Sequence, residues 1–390
     1  MRNDQQVLIV RPARGTRPRN RRRLIIDAAA ELFHQRGYSA VAMSDIAAAV
    51  AIGPSALYRH FAGKNDLLAT VIEDALTRLD DALRTADDTA DIAGVLAGAV
   101  LRPRTVGVLW RREAHNLTDV DRKRVRTIAK RIGRRLSVHL RDRRPELTAE
   151  DADLLAWCAL GVANSISFHN LSLPEPRFAE LIAISLQARP ISTDGGADNR
   201  PATVATHSRR EAILAAATTL FAEKGFAATS IDDIGAAVGI AGPSIYSHFE
   251  AKTDILVAAM SRGNESLWLE LNRAVEDIRD PSEALSRVIT SYLTFALKNP
   301  GLIEVLMSGA RHLPPDESRW ARRSQRDYID EWVHLMRQIH PSVTATEARI
   351  RVHACQLMIN DVAVMRRLRG LPGAKEVLGD IASALMLVST

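Results

Sequence analysis

The sequence contains one stretch twice, and this duplication limits the possible folds more than any other feature. Residues 46–61 read IAAAVAIGPSALYRHF and residues 234–249 read IGAAVGIAGPSIYSHF, so that Tyr58 and Tyr246 are 188 positions apart. The register holds without a gap from Ile25 to Leu68, which unrelated segments would not maintain. We therefore predict two copies of one structural unit in the 390 residues, a length that also suits two domains or two pairs of domains.

Each copy predicts two short helices joined by a turn. An apolar-periodic helix comes first, and a glycine-containing turn follows it. Gly242 and Pro243 suit the cap and first turn of the next helix, because the N–H that proline lacks is unpaired there in any case. That helix places Ser, Tyr and His on one side and buries Ile245 and Phe249 on the other. Two such helices form a helix-turn-helix, whose second helix fits the major groove of DNA.

The composition fits an all-helical globular chain with a polyanionic partner. The sequence is 46% hydrophobic and 25% charged, and β-branched alternation is absent. The net charge of +6 and the pI of about 9.6 favour nucleic acid as a partner. Cys158 and Cys355 indicate a reducing compartment and core packing, with a disulfide or redox sensor as the alternative. We find no signal peptide, and the longest apolar run is too short for a bilayer, so we expect a soluble, cytoplasmic protein.

Charge and turn residues divide the chain into six segments. Residues 1–20 are crowded with Arg, Pro and Gly and predict a disordered basic arm that contacts DNA phosphates; a solvated tail is the alternative. Residues 190–206 are polar, rich in Gly and Pro and without periodicity, which predicts a linker. The other four segments are a first helix-turn-helix domain at 21–66, a first body at 67–189, a second helix-turn-helix domain at 207–254 and a second body at 255–390.

The bodies repeat at a larger offset, because Asn164 and Asn360 are 196 positions apart. Helical spacing predicts helices at 66–83, 92–101, 105–116, 120–143, 149–169, 176–188, 254–278, 344–366 and 373–388. The helix at 149–169 is apolar nearly all round and needs cover on several sides, as a subunit contact would provide. The arginine and lysine run at 120–143 predicts a solvated face; the alternatives are an anionic ligand, such as an acyl thioester of coenzyme A, or extra DNA contact.

The two repeated stretches resemble the DNA-binding motif of the TetR family of transcriptional regulators. The Tyr-x-His-Phe-x-x-Lys ending, which runs to Lys64 and Lys252, is specific to this family, and the upstream Leu-Phe-x-x-x-Gly strengthens the match. The resemblance covers both halves, as in tandem TetR-type regulators of actinobacteria. It implies an all-α fold of two tandem units, each with a three-helix DNA-binding head and a six-helix body for ligand binding and dimerisation.

The resemblance also implies how the two units assemble. Ordinary members of the family are dimers joined by the last two helices of each body, which here are the helices at 149–169, 176–188, 344–366 and 373–388. We therefore expect an intramolecular pseudo-dimer, with further homo-oligomerisation on DNA left open. Because the halves differ, we expect double-stranded operator DNA with two unlike half-sites and heads about 34–36 Å apart, or a multiple of that distance.

Residue by residue, the resemblance implies a set of DNA contacts. Arg59 is the candidate for reading a guanine edge. His60 and His248 either touch the DNA backbone or simply pack. The contact residues of the two heads are Ser44, Ser55, Ala56, Tyr58, Arg59, His60 and Lys64, then Ser230, Pro243, Ser244, Tyr246, Ser247, His248 and Lys252, with Arg21 and Arg22 at the end of the arm. Gly-Pro-Ser lies one residue nearer the tyrosine in the second copy, so we expect the helix caps to be shifted by one position, about 100° around a helix.

The resemblance further implies a small-molecule pocket in each body. The candidate lining residues are Trp110, Glu113, His115, Trp157 and Asn164 in the first body, and Met307, His312, Trp332, Met336, Met358 and Asn360 in the second. Plain core packing is the alternative for each apolar one. Asn164 and Asn360 are amides in apolar helices and need a partner where they are buried, from a ligand, water or the facing helix.

Three functions compete at this point: a ligand-released transcriptional repressor, an interaction protein and an enzyme. The leading one is a transcriptional repressor that a small hydrophobic or acyl-type ligand releases from DNA. An interaction protein whose heads have lost DNA affinity is the alternative. The sequence contains no Gly-rich phosphate loop, no nucleophile motif and no metal-ligand spacing, so we expect no enzyme, no cofactor and no metal.

Overall fold

The described residues form helices and turns without any β-strand, as the sequence predicted. The structure, a computed structural model, describes residues 21–86, 91–101, 104–190 and 208–388, without the side chains of Val106, Arg112 and His115. The predicted arm and residues 191–206 of the predicted linker lie outside these ranges. The chain divides into two compact units, which we call unit 1 (residues 1–90 and 98–132) and unit 2 (residues 91–97 and 133–390).

Unit 1 begins with the first helix-turn-helix and continues into part of the first body. Its opening helices are α1 (Arg21–Arg36), α2 (Met43–Ala49), α3 (Pro54–Tyr58) and α4 (Lys64–Thr85). Then come α5 (Ile92–Leu101), α6 (Val106–Val108), a π-helical turn at Leu109–Glu113, a 3₁₀ turn at Ala114–Asn116 and α7 (Asp119–Arg143); the unit boundaries fall within α5 and α7. The continuous helix predicted at 105–116 is therefore wrong. Apolar periodicity does not reveal a single π-helical turn, because such a turn adds only one residue to a helix.

The first head folds around the apolar face of α1. Ile25, Ala29 and Phe33 are fully buried there, and Gly37 ends the helix with φ of +80°, a conformation that glycine adopts without steric cost. At the start of α2 the Ala42 N–H donates to Asp45 Oδ2 at 2.8 Å, which satisfies one of the N–H groups that a helix start leaves unpaired. Helix α2 packs against both α1 and α3.

Unit 2 contains the last two helices of the first copy and the second copy. The first-copy helices are α8 (Ala149–Ser165), followed by a 3₁₀ turn at Ile166–Phe168, and α9 (Glu175–Gln187). The second head consists of α10 (Arg209–Lys224), α11 (Ile231–Ala237) and a 3₁₀ helix at Gly242–Ser247. The second body consists of α12 (Lys252–Val275), α13 (Pro281–Lys298), α14 (Pro300–Ser308), a 3₁₀ turn at Gly309–His312, α15 (Pro315–Ile339), α16 (Ala345–Val364), α17 (Arg366–Arg369) and α18 (Ala374–Leu387).

Helices α8 and α16 pack closely in unit 2. A Cβ atom on Gly161 of α8 would lie 2.8 Å from the Cα atom of Met358 on α16, so only glycine permits this approach. Cys158 and Cys355 are buried and free, and burial raises the pKa of Cys355 to about 12, which agrees with core packing. The apolar surface of α8 is thus covered by a helix of the other copy.

Ion pairs and ring contacts continue along this surface. Arg177 of α9 donates to Glu347 of α16 at 2.8 Å, and the rings of His169 and His353 lie 4.7 Å apart. The helices predicted at 149–169 and 344–366 are shorter than expected, because α8 ends at Ser165 and α16 at Val364. Apolar residues continue past both ends, so periodicity alone did not locate them.

Candidate nucleic-acid interface

Each helix-turn-helix presents one aromatic side chain to solvent. The exposed fraction is 56% for Tyr58 and 54% for Tyr246, although tyrosine is usually at least half-buried. The neighbouring Leu57 and Ile245 are fully buried, so they anchor each short helix from behind. Among the other predicted contacts, Ser44, Ser55, Arg59 and His60 are exposed in the first head, Ser230, Pro243, Ser244 and Ser247 are exposed in the second, and Ala56 and His248 are half-buried.

The second helix of the motif differs in type between the two copies. It is an α-helix at Pro54–Tyr58 and a 3₁₀ helix at Gly242–Ser247. A 3₁₀ helix has about 3.0 residues per turn instead of 3.6, so the two heads present equivalent residues in different directions. Arg59 in the first head corresponds to Ser247 in the second, 188 positions on. The two surfaces are therefore unlike in both geometry and charge.

The predicted shift of the helix caps is wrong. The N-cap residues are Gly53 and Ala241, which are 188 positions apart and therefore equivalent. Gly242 is not the cap but the first residue of the 3₁₀ helix, where a Cβ atom would lie 1.9 Å from Asp232 Oδ1. The second copy thus uses glycine at this position for close packing on α11, whereas the first copy has Pro54 there.

The serines near the start of the second helix are not equivalent. Ser230 is the N-cap of α11, and its hydroxyl donates to Asp233 Oδ2 at 2.7 Å while it accepts from the Asp233 N–H. Its hydrogen bonds with Asp233 hold the pKa of that carboxyl well below its usual range. Ser44 lies inside α2, and the position that corresponds to Ser230 is Ala42. The hydroxyl of Ser230 is therefore already engaged within the protein, whereas that of Ser44 is exposed.

The two lysines that follow the motif hold each head together. Lys252 donates to the backbone oxygens of Phe226 and Thr229, at 2.9 and 2.8 Å, and lies over the Phe226 ring at 4.4 Å. Lys64 lies over the Tyr38 ring at 4.2 Å. Burial lowers the pKa of both lysines. We infer that Lys252 stabilises the loop before α11, a role that the sequence analysis missed.

An arginine lies over the core phenylalanine of each motif. Arg22 lies 5.0 Å from the ring centre of Phe61, and Arg210 lies 4.2 Å from that of Phe249. Arg22 was predicted as a DNA contact and Arg210 was not, although the two are 188 positions apart. Comparing the copies at this spacing would have found Arg210.

An ion pair joins α1 to α4, and another, with the positive and negative residues on the opposite helices, joins α10 to α12. Arg23 donates to Asp74 at 2.8 Å in the first copy, and Arg262 donates to Glu211 at 2.9 Å in the second. The partners are 51 residues apart in both copies, but the charges are exchanged between the helices. The hydrogen bond from Arg262 lowers the pKa of Glu211. Each head therefore has its own electrostatic contact with the helix that leads into its body.

Core packing accounts for much of the predicted pocket lining in the second body. Trp332, Met336 and Met358 are fully buried. The buried Asn360 accepts a 2.9 Å hydrogen bond from the Tyr292 hydroxyl, so its partner is a side chain of α13. His312 stacks on Phe226 at 5.0 Å between ring centres, and Met307 is half-buried.

The first-body candidates are divided between the two units. Glu113 of unit 1 is 2% exposed and accepts a 2.9 Å hydrogen bond from Asn116. Burial of Tyr38 raises the pKa of its hydroxyl, and the negative charge of Glu113 raises it further. Trp110 belongs to unit 1, and Trp157 and Asn164 belong to unit 2; all three are half-buried. The side chain of His115 lies outside the described residues.

The basic run on α7 is partly neutralised. Arg124 pairs with Glu73, and Arg131 pairs with Asp80 at 2.7 Å. Lys123, Arg126 and Lys130 are exposed and recur at helical spacing. This pattern agrees with the solvated face that the sequence predicted.

Comparison with known proteins identifies both heads. The sequence model described as "Bacterial regulatory proteins, tetR family" matches residues 25–71 and 213–259. The chain is 24% identical over 114 residues to the HTH-type transcriptional activator FasR of Mycolicibacterium smegmatis, covering 29% of this chain and 52% of FasR. It is 28% identical over 105 residues to the nucleoid occlusion factor SlmA of Vibrio campbellii, covering 27% of this chain and 54% of SlmA. The matches thus span about half the length of these relatives.

A comparison with solved structures gives weaker similarities. A TetR-family transcriptional regulator from Bordetella parapertussis aligns with 20% identity and a TM-score of 0.43, covering 46% of this chain and 95% of that protein. In the described part of the chain, no helix is both long and apolar enough to cross a membrane. Nor do the described His, Cys, Asp and Glu residues form a group of three or more that would hold a metal ion.

Proposed function

Since the chain belongs to the tetR family of bacterial regulatory proteins and carries two of its DNA-binding regions, we propose that one molecule contacts both halves of an operator. Its function is that of a non-enzymatic, DNA-binding transcriptional regulator. The observation that carries the proposal is the solvent-exposed tyrosine on the second helix of each head. The small polar residues around each tyrosine leave room for a DNA backbone to approach.

The operator that suits this chain has two unlike half-sites. The first head offers Arg59 beside Tyr58 on an α-helix, and arginine is the side chain that most often reads guanine. The second head offers Ser247 beside Tyr246 on a 3₁₀ helix, without a cation at that position. We expect the first half-site to supply more of the sequence specificity. The basic arm before the first head adds affinity through phosphate contacts that do not depend on sequence.

We propose that α8, α9, α16 and α18 form the contact between the two copies, as an intramolecular pseudo-dimer. The packing of α8 on α16 supports this, as do the contacts of α9 with α18 and the ion pair from Arg177 to Glu347. The covalent link keeps the two halves at high effective concentration, so the pair does not depend on protein concentration. The predicted domain boundaries, with heads at 21–66 and 207–254, belong to the same proposal.

Control by a small hydrophobic or acyl-type ligand completes the proposal. A ligand that binds one body more tightly when α4 or α12 is tilted would favour that tilted state and move the attached head. The free energy of DNA binding would become less favourable by the difference in ligand binding free energy between the two states. We propose repression released by such a ligand. The activator name of FasR belongs to that protein, and a promoter assay with and without the chain decides the direction of control.

The direct test is a gel-shift titration with DNA from upstream of the gene, at a fixed and stated salt concentration. We expect a specific complex that weakens steeply as salt rises, because phosphate contacts release counterions. Tyr58→Ala and Tyr246→Ala are each expected to weaken binding, and Trp320→Ala is the matched control because Trp320 is also an exposed large side chain but lies on α15. Absence of any specific complex would overturn the proposal. Sensitivity to Tyr58→Ala alone would support the alternative in which the second head no longer binds DNA.

A further inference from the structure

A polar groove lies between α12 and α13 in the second body. Its volume is about 730 Å³, and its walls come from these two helices and the beginning of α14. Four cations line it, against the single lining carboxylate of Glu270; Glu211 and Glu283, outside the lining, pair with two of these cations. Five serine and threonine hydroxyls also line the groove. The four cations are Arg262, Arg273, Arg287 and Lys298.

We propose that this groove binds a small organic phosphate as an effector. A phosphate dianion matches a lining that holds four cations better than a single carboxylate does, and guanidinium groups bind phosphate oxygens through paired hydrogen bonds. Phe295 and Leu302 also line the groove and provide an apolar surface for the organic part of the ligand. The proposal rests on the proposed function, because it assumes that a ligand on the second body controls DNA binding; it adds a phosphate ligand in this polar groove to the hydrophobic or acyl-type ligand proposed above.

Two of the groove arginines, Arg273 and Arg287, hold only weak contacts with neighbouring carboxylates. Arg273 pairs with Glu270 at 3.2 Å, and Arg287 pairs with Glu283 at 2.7 Å. In both pairs the two side chains are more than 40% exposed, and ion pairs so open to water contribute little to stability. A phosphate group in the groove therefore replaces these contacts at low cost.

The first copy lacks the three arginines of the groove at the corresponding positions, and only Lys298 corresponds to another cation, Arg102. At the offset of 188 positions, Arg262 corresponds to Asp74 and Arg273 to Thr85. At the offset of 196, Arg287 corresponds to Asp91. Two of the three arginines are thus replaced by carboxylates, which would repel a phosphate. The site belongs to the second copy alone, so we expect one ligand per chain.

Arg262 connects the groove to the second head. Its guanidinium lines the groove and also makes a two-pronged contact with Glu211 of α10, the first helix of that head. A phosphate that binds Arg262 competes with Glu211 for the same donors. Ligand binding therefore weakens the contact between α10 and α12, and we expect it to lower the DNA affinity of the second head.

The binding test uses isothermal titration calorimetry on the full chain at pH 7.5, with phenyl phosphate as the probe. We expect one saturable site per chain, with weaker binding of inorganic phosphate, which lacks an apolar group, and of phenylacetate, which carries one charge less. The groove variant Arg273→Gln/Arg287→Gln should bind phenyl phosphate at least about tenfold more weakly, because it loses two charged hydrogen-bond donors. The control Arg323→Gln/Arg326→Gln removes the same charge from exposed positions of α15 and should bind like the wild type.

The coupling test measures DNA affinity by fluorescence anisotropy with and without saturating phenyl phosphate. We expect weaker DNA binding with the ligand in the wild type and a smaller ligand effect in Glu211→Gln, which still binds the ligand. Phosphate binding that is absent, or weakened equally in the groove and control variants, overturns the inference, as does DNA affinity that does not respond to bound ligand. Because the calorimetry needs no DNA and the DNA titration without ligand needs no phosphate, failure of the inference is distinguishable from failure of the proposed function.

Discussion

The contact between α8 and α16 gives a sharp prediction at Gly161. A Cβ atom there would lie 2.8 Å from Met358 Cα and 3.4 Å from Met358 N, and backbone atoms cannot rotate out of the way as a side chain can. Replacing Gly161 with alanine gains about 1 kcal/mol of helix propensity. Overpacking of a close contact costs about 1–3 kcal/mol. We expect the collision to outweigh the propensity, so that Gly161→Ala lowers the free energy of unfolding by up to about 2 kcal/mol.

Gly379 is the matched control for this substitution. It lies within α18, and a Cβ atom there would meet only Leu293 Cδ2, at an ordinary contact distance of 3.8 Å. Gly379→Ala therefore keeps the propensity gain without the collision, and we expect it to raise the free energy of unfolding by about 0.5–1 kcal/mol. The two alanine substitutions are thus predicted to have opposite signs, although both replace a helical glycine in unit 2.

Thermal unfolding, followed by circular dichroism at matched protein concentration, measures the difference. For a protein unit of this size, 1 kcal/mol shifts the midpoint by about 2–4 °C. Gly161→Val adds two further methyl groups and a β-branch, so we expect a larger loss, about 3 kcal/mol or more. Gly161→Ala and Gly161→Val with midpoints equal to the wild type would refute the close packing of α8 on α16.

Two further predictions concern single positions. Ala51 has φ of 54°, a left-handed conformation that costs an L-residue about 1–2 kcal/mol, whereas Gly239 at the equivalent turn has φ of 70° without this cost. We therefore expect Ala51→Gly to raise the melting midpoint and Gly239→Ala to lower it, as measured by calorimetry. Burial, with the charge of Arg349, lowers the pKa of His353 to about 4 in the folded protein. As pH falls, the His353 side chain is therefore protonated in the unfolded chain at a higher pH than in the folded one. Stability should therefore decline between about pH 6.5 and 4 by up to about 3 kcal/mol, and His353→Gln should show a shallower decline in urea unfolding at each pH.

The helices and the duplication were predictable because both leave a regular signal in the sequence. Apolar residues at helical spacing located α5 at 92–101 and most of the longer helices within a few residues of their observed ends. The 188-residue offset correctly related the two motifs, including the buried Phe61 and Phe249. Comparison with known proteins confirmed the two tetR-type heads.

The details of the two heads depend on contacts between distant residues, which spacing does not reveal. The equivalent caps at Gly53 and Ala241 were not predicted, because the shifted Gly-Pro-Ser suggested a shifted helix start. The close packing of Gly242 on Asp232 becomes visible only when both residues are placed in space. Lys252 resembles a phosphate contact in the sequence, but its bonds to backbone oxygens show a structural role.

The pocket candidates show the same limit. An amide within an apolar helix predicted that Asn360 needs a partner, but the partner, Tyr292, lies 68 residues away on another helix. The polar groove between α12 and α13 was not predicted either, since its arginines are spread over two helices whose registers the sequence does not relate. Neither the hydrogen-bond partner of Asn360 nor the groove could be assigned before the packing of the helices was known.

The most direct test of a single chain with two DNA-binding heads is the stoichiometry of its complex with operator DNA. Native mass spectrometry of the 42.8 kDa chain with a duplex that carries both half-sites counts the protein molecules in each complex. We predict one chain per duplex, and weaker binding, still of one chain, when either half-site is scrambled. A complex that always requires two chains, or one that is unaffected by scrambling either half-site, would contradict the account.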